Sequence, residues 1–224
     1  MNTLLELEDL VVSRGRRFSL APLTIRFDRP DIVGLFGQNG AGKTTLLKAL
    51  AGLLPIQSGS VKLRDATIPT LLPDAPFIYK FLKVGSVPNV LADYFEDFDL
   101  ERGRSIINDL SLDKSKKVSD LSKGMEEQLN LGMPLARRSS VYLFDEPLAA
   151  VDPVTRDRML DLIKLHKPDD ALLIISTHLI AGLESLFDEC VVLHNGRVLL
   201  QLQASDISPG QSLEIKIKEA MLNA

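Results

Sequence analysis

The sequence predicts an α/β fold with three parts: a parallel-sheet core, an N-terminal antiparallel β patch and an inserted α-helical subdomain. Three observations lead there. The runs "DIVGLFG", "VYLFD", "ALLIIST" and "CVVLHNGRVLLQL" are continuously apolar, as parallel strands buried on both faces are. Helix-like segments, "TTLLKALAGLL", "VTRDRMLDLIKLH" and "LIAGLESLF", lie between such runs, the alternation of a helix-covered parallel sheet. Residues 76–135 break the rhythm with "NVLADYFEDF", "LERGRSIINDL" and "KGMEEQLNLGMPLARR", all helical in spacing and with no buried strand among them.

In chain order, "LLELEDLVV", "LTIRF" and "SVKLRD" read as short strands divided by turn residues, which gives the antiparallel patch. "DIVGLFG" ends in glycine, and the helix after it stops at Gly52 and Pro55. In the last apolar run, Asn195-Gly196 is a two-residue hairpin signal. "SLEIKIKEAMLNA" has room for one short helix at most. The expected organisation is one domain over 1–224: a core of 1–75 and 136–205, a helical subdomain of 76–135, and a short tail of 206–224.

A chain of 224 residues can bury a full core, and 45% hydrophobic with 25% charged residues is ordinary for a folded protein. A formal charge of -4 with no basic stripe argues against nucleic acid as the main partner. Lys114–Lys117 reads as a solvated loop. The lone Cys190 rules out an internal disulfide; within "ECVVL" it reads as a buried, inert thiol. The N-terminus carries acids inside its apolar stretch and does not look like a signal peptide. The apolar runs fall well short of the ~20 residues of a membrane span, so no transmembrane helix is expected.

"GQNGAGKTT" matches G-x-x-x-x-G-K-[ST] after a buried strand and at the opening of a helix. Gly37, Gly40 and Gly42 let the backbone curl, so that the N–H groups of Gly37, Gln38, Asn39, Gly40, Ala41 and Gly42 can face phosphate beside the positive end of the helix dipole. Lys43 reaches the β- and γ-phosphates, the Thr44 hydroxyl can ligate Mg²⁺, and Thr45 can add a contact to the α-phosphate. This context predicts a P-loop NTPase core of the RecA-like kind, binding a nucleoside triphosphate.

"LFDEP" ends another buried run in two adjacent acids, a costly arrangement unless a cation answers them. On the expectation that this strand lies beside the P-loop strand, Asp145 faces the magnesium ion, directly or through a water. Glu146 is then the candidate general base for a water attacking the γ-phosphate. For "DE" by itself the competing reading is an exposed acidic turn.

These residues, with "LSKGMEEQ" (121–128), "AAVD" (149–152) and "STH" ending at His178, resemble the ATP-binding subunits of ABC transporters, in order and over residues 4–205. The resemblance implies two such subunits head to tail, the second being this chain or a paralogue. ATP at one P-loop would be closed over by Ser122 and Gly124 of the other subunit, with His178 contacting the γ-phosphate. It further implies integral membrane permease subunits and a peripheral place on the cytoplasmic face of the membrane. The ordinary reading of Ser122 as a helix cap is compatible with that role. His166 and His194 are read as structural.

Departures from the pattern fall at three places. The family's adenine-stacking aromatic aligns with Arg14; stacking by Arg14, substitution by Phe18 and weak base contact all stand open. The family's metal-contacting glutamine aligns with Asp74, which either contributes an oxygen to Mg²⁺ or only turns the chain between two prolines. Lys123 and Met125 replace glycine and glutamine in the signature, a form similar to that of bacterial ABC-2 type exporters. "APFIYKFLKVGS" brings Phe77, Ile78, Tyr79 and Phe81 together, either as core or as the surface that meets a permease. Two other functions remain: a soluble ABC-type ATPase unconnected with transport, and a slowly hydrolysing ATP-dependent clamp.

Overall fold

The computed structural model describes residues 3–14, 18–65, 67–149, 151–180, 182–207 and 212–222, without the side chains of Arg14 and Phe18. Its contacts divide the chain into two units: Met1–Leu71 with Ser140–Glu146 and Asp169–Ala224, and Leu72–Ser139 with Pro147–Pro168.

The first unit holds two sheets. Strands β1 (Leu5–Arg14), β2 (Phe18–Phe27) and β4 (Ile56–Leu63) form the antiparallel patch, in the order β2-β1-β4. Leu5, Leu7, Leu10 and Val12 of β1 are all buried, although the step from Leu7 to Leu10 breaks strict alternation. A bulge makes up the difference: the register shifts between Leu7 and Leu10, and Asp9 takes φ 46°. The larger sheet is built from β3 (Ile32–Phe36), β5 (Thr70–Leu72), β6 (Val141–Asp145), β7 (Leu172–Thr177), β8 (Glu189–His194) and β9 (Arg197–Gln203). Its order is β5-β6-β7-β3-β8-β9, with β6, β7, β3 and β8 parallel and β9 antiparallel at the edge. Asn195 at φ 46° and Gly196 at φ 76° turn β8 into β9, the left-handed pair that such a hairpin needs.

Every residue of β6 and β7 is buried, including the polar Asp145, Ser176 and Thr177 that close their otherwise apolar sequences. One apolar cluster joins β1 and β2 to Leu46, Leu47 and Leu50 of helix α1 (Lys43–Leu50) and to Val33, Leu35, Leu143, Ile174 and Val191 of the large sheet. Two expectations change here. Strand β6 is not beside β3; β7 lies between them, an order set by long-range pairing that local pattern does not report. "LIAGLESLF" is not a helix: its described residues contain only a single 3₁₀ turn, Glu184–Leu186, and Gly182 at φ 80° interrupts any helical path.

The second unit is helical: α2 (Val87–Tyr94), α3 (Leu100–Asp109), α4 (Lys123–Leu135) and α5 (Pro153–His166). By contact it includes 147–168, which the sequence had assigned to the core. The reason lies in Gly132 of α4: a Cβ there would stand 2.6 Å from Ile106 of α3 and 3.2 Å from Leu162 of α5, so glycine lets the three helices close together. Asp99, Ser122 and Asp152 cap α3, α4 and α5 by accepting from Arg102, Met125 and Thr155 backbone N–H groups. Lys114–Lys117 are exposed, as expected of a solvated loop. The remaining helix, α6 (Leu213–Leu222), lies in the first unit and buries Leu213 and Ile217. Among the described residues no helix is long and apolar enough to cross a membrane.

Cys190 is fully buried in β8, and that burial pushes its thiol up to about 11. Reaction with a thiol-specific reagent at pH 8 is therefore expected to be negligible in the folded protein and complete after denaturation. Rapid labelling of the native chain would contradict this burial.

Candidate functional site

Strand β3 ends in buried Phe36 and delivers the loop 37–42 to the start of α1. Gly40 and Gly42 take φ 87° and 112°, left-handed values open to glycine at little cost, and Gly42 is the N-cap of α1. No side chain caps this helix, and no acid stands in its first turn. Its first amides and dipole are thus left for an external anion. Gln38, Asn39 and Gly40 are exposed, while Gly37, Ala41 and Thr45 are buried beneath them.

Lys43 is 6% exposed, and its Nζ donates to Gly37 O at 2.8 Å. The same ammonium lies 3.2 Å from Glu146 Oε1. Glu146 Oε2 is in turn 3.0 Å from His178 Nδ1, so Glu146 stands between a buried cation and a half-exposed imidazole. Asp145 is 1% exposed at the end of β6. Its Oδ1 accepts from Thr44 Oγ1 at 3.1 Å and from Ser176 Oγ at 2.7 Å, whereas its buried Oδ2 has no partner.

Such an orphaned oxygen is expensive unless something else meets it. Together with the adjacent Thr44 hydroxyl it presents hard oxygen ligands of the kind Mg²⁺ takes, in the small number that leaves the remaining positions to phosphates and water. The residues present therefore fit a magnesium ion.

The structure brings Lys43, Thr44, Asp145, Glu146 and His178 together within one unit. Asp74, Ser122 and Gly124 stand on the other unit. Asp74 is exposed just after β5, and Ser122 is an exposed cap. Gly124 lies against α5, where a Cβ would meet Thr155 Oγ1 at 2.6 Å, which is a packing reason for glycine there. The base-stacking reading of Arg14 or Phe18 depends on side chains outside the described residues. Asp152, in the turn after the acids, has its carboxyl held below the usual range by the Thr155 hydroxyl and backbone N–H.

His166 is buried on α5 beside Asp109, with burial lowering its pKa; His194 bonds its neighbour Asn195; both fit structural readings. Sequence reasoning missed Ser176. The available signal was a serine at the end of the otherwise apolar run "LLIIST".

Replacing Lys43 by methionine keeps most of the buried stem and removes the charge. Loss of charge-assisted hydrogen bonds of about 1.5–3 kcal/mol implies roughly 10- to 150-fold weaker binding of a nucleoside triphosphate. Titration with a fluorescent analogue measures it, and unchanged affinity would remove Lys43 from the site.

Comparison with known proteins agrees with this geometry. The family described as "ABC transporter" matches residues 20–149, more than half of the chain. An uncharacterized ABC transporter ATP-binding protein of Bacillus subtilis, YthP, is 28% identical over 205 residues, covering 89% of this chain and 86% of its own. The bacitracin transport ATP-binding protein BcrA of Bacillus licheniformis is 26% identical over 217 residues, covering 90% and 70%. Among solved structures, an ATP-binding subunit of an ABC transporter superposes with a TM-score of 0.81 at 26% identity, covering 97% of this chain and 99% of that one. CbiO1 of Clostridium perfringens, part of the ABC transporter complex cbiONQ, shares the fold with a TM-score of 0.77 at 20% identity over 100% and 94%. The chain belongs to the ABC transporter family, as an ATP-binding subunit that hydrolyses ATP.

Proposed function

We propose that this chain is the motor of a membrane exporter, driving transport through separate permease subunits by closing and opening on Mg-ATP with a second ATP-binding subunit. The observation that carries the hydrolytic part is Glu146, held by Lys43 on one oxygen and His178 on the other beside the open Oδ2 of Asp145.

In this reading the P-loop amides and Lys43 bind the β- and γ-phosphates. Thr44 and Asp145 would hold the magnesium ion, which would supply charge neutralisation on those phosphates. When Lys43 turns to phosphate, its ion pair with Glu146 is given up, and Glu146 becomes free to accept a proton from water. The water oxygen bonds to the γ-phosphorus, the bond to the β,γ-bridging oxygen breaks, and the proton goes to Glu146. His178 holds Glu146 and the γ-phosphate in line. Ser122 and Gly124, at an exposed helix start, close over the ATP of the facing subunit, a copy of this chain or a paralogue. Arg14 and Asp74 keep their implied roles, base stacking and metal contact, as parts of the proposal.

The permease surface is supported by Tyr79 and Phe81, 59% and 69% exposed, whose rings stack with centroids 5.4 Å apart. Ile78, from the same stretch, is buried. Exposed paired aromatics suit a protein interface, and they suit a chain with no described membrane-spanning helix of its own. Export, and the peripheral position on the cytoplasmic face, are supported by the LSKGM signature and by the likeness to a bacitracin transport subunit.

Glu146→Gln keeps the shape of the side chain and removes the base. Hydrolysis is expected to fall by about 10²- to 10⁴-fold while ATP binding persists and a nucleotide-bound dimer accumulates. Unchanged hydrolysis would sink the general-base role, and a variant that stays monomeric with ATP would sink the two-subunit cycle. Co-purification with an integral membrane protein separates a transporter from a soluble ATPase.

A further inference from the structure

The buried hydroxyl of Ser176 touches both acids of the site, the side chain of Asp145 and the backbone N–H of Glu146. We infer that Ser176 is a positioning residue that selects which oxygen of Asp145 faces the magnesium ion and fixes where Glu146 stands. The inference rests on the Mg-ATP reading of the site.

Ser176 is 0% exposed near the end of β7, and a hydroxyl in such a place is costly unless its hydrogen-bonding capacity is used. Here it is used in both directions. Ser176 Oγ donates its one proton to Asp145 Oδ1 at 2.7 Å and accepts from the backbone N–H of Glu146 at 2.9 Å. A terminal carboxylate turns easily about its last torsion, so by itself it has no preferred oxygen. Two hydroxyls, from Ser176 and Thr44, converge on Oδ1 and leave Oδ2 as the oxygen without a partner. The side chain next to the cradle and the one on the neighbouring strand thus clamp one edge of the carboxylate and present the other.

Glu146 meets a related problem in its backbone. Its φ of 48° lies in the left-handed region, uncommon for a residue with a side chain. Its N–H is held by Ser176 twice over, by Oγ and by the backbone oxygen at 3.2 Å. One serine therefore sets the presented edge of the metal ligand and anchors the turn that aims the base. Because β7 pairs with β6 in parallel and places Ser176 opposite Asp145, this contact is built into the sheet register.

The test compares Ser176→Ala and Ser176→Thr with the wild type, each as the full chain. Binding of a fluorescent ATP analogue is measured in EDTA and across a Mg²⁺ titration, with ATPase activity and thermal melting alongside. Ser176→Ala is expected to bind the metal-free analogue as the wild type does. It should need about 10- to 100-fold more Mg²⁺ for half of the metal-dependent gain, the usual range for removing a partner of a metal ligand. Ser176→Thr keeps the hydroxyl and should return the midpoint to wild type.

A Ser176→Ala protein with the wild-type Mg²⁺ midpoint overturns the inference, even if its melting temperature drops, because that pattern marks a purely structural serine. A stable Ser176→Thr that behaves like alanine overturns it as well. Should alanine fail to fold, Ser176→Cys, close in size and a weak donor, is read by the same midpoint. A wild type whose nucleotide binding gains nothing from Mg²⁺ overturns the magnesium reading itself, and this inference with it.

Discussion

A buried ammonium organises the site. Lys43 is almost wholly out of water, and an unpaired charge in that position would cost several kcal/mol. Gly37 O and the Glu146 carboxylate answer it, and His178 attends the second oxygen of Glu146. The ammonium of the P-loop and the carboxylate after β6 satisfy each other. On the proposed mechanism, this pair holds the general base until a nucleotide draws Lys43 away. On that proposal a triphosphate, carrying more negative charge than Glu146, would compete for Lys43, so that binding and release of the base would be one electrostatic exchange.

The neighbouring acid is treated differently. Asp145 has no cation; it has hydroxyls on one oxygen and nothing on the other. Two adjacent carboxylates thus differ by their partners, one paired with a side-chain cation and the other with hydroxyls on a single oxygen. The helical unit follows another logic, resting on small residues and caps. Gly132 and Gly124 admit close neighbours, and Asp99, Ser122 and Asp152 close the helix starts.

The elements and residues that depend on local chemistry were legible in the sequence. The P-loop is a matter of backbone shape within nine residues, and continuous apolar runs mark β3, β6, β7 and β8 wherever they pair. Glu146 and His178 stood out because each follows the end of such a run, and the structure puts them 3.0 Å apart. What was not legible depends on distant partners. The place of β7 between β6 and β3 is fixed by pairing of β3 with β7 across more than a hundred residues, and the contacts of Ser176 by the register of β7 on β6, 31 residues away. The apparent helix at 179–187 had the right spacing but too few residues around Gly182 to sustain it. The grouping of α5 with α4 depended on the absence of a side chain at Gly132, which periodicity does not weigh.

The interposed strand also acts as a ruler. With β7 between them, the ends of β3 and β6 are two strand spacings apart, about 9–10 Å. Across that gap the long side chains of Lys43 and Glu146 come within 3.2 Å of each other, while Thr44 on α1 bonds Asp145 at 3.1 Å. A lysine on α1 and a glutamate one residue past β6 supply those lengths, and a serine on β7 bonds Asp145 and the backbone N–H of Glu146. Side-chain length at these positions is therefore matched to sheet geometry, so that aspartate in place of Glu146 or a shorter cation in place of Lys43 would have the right charge at the wrong reach.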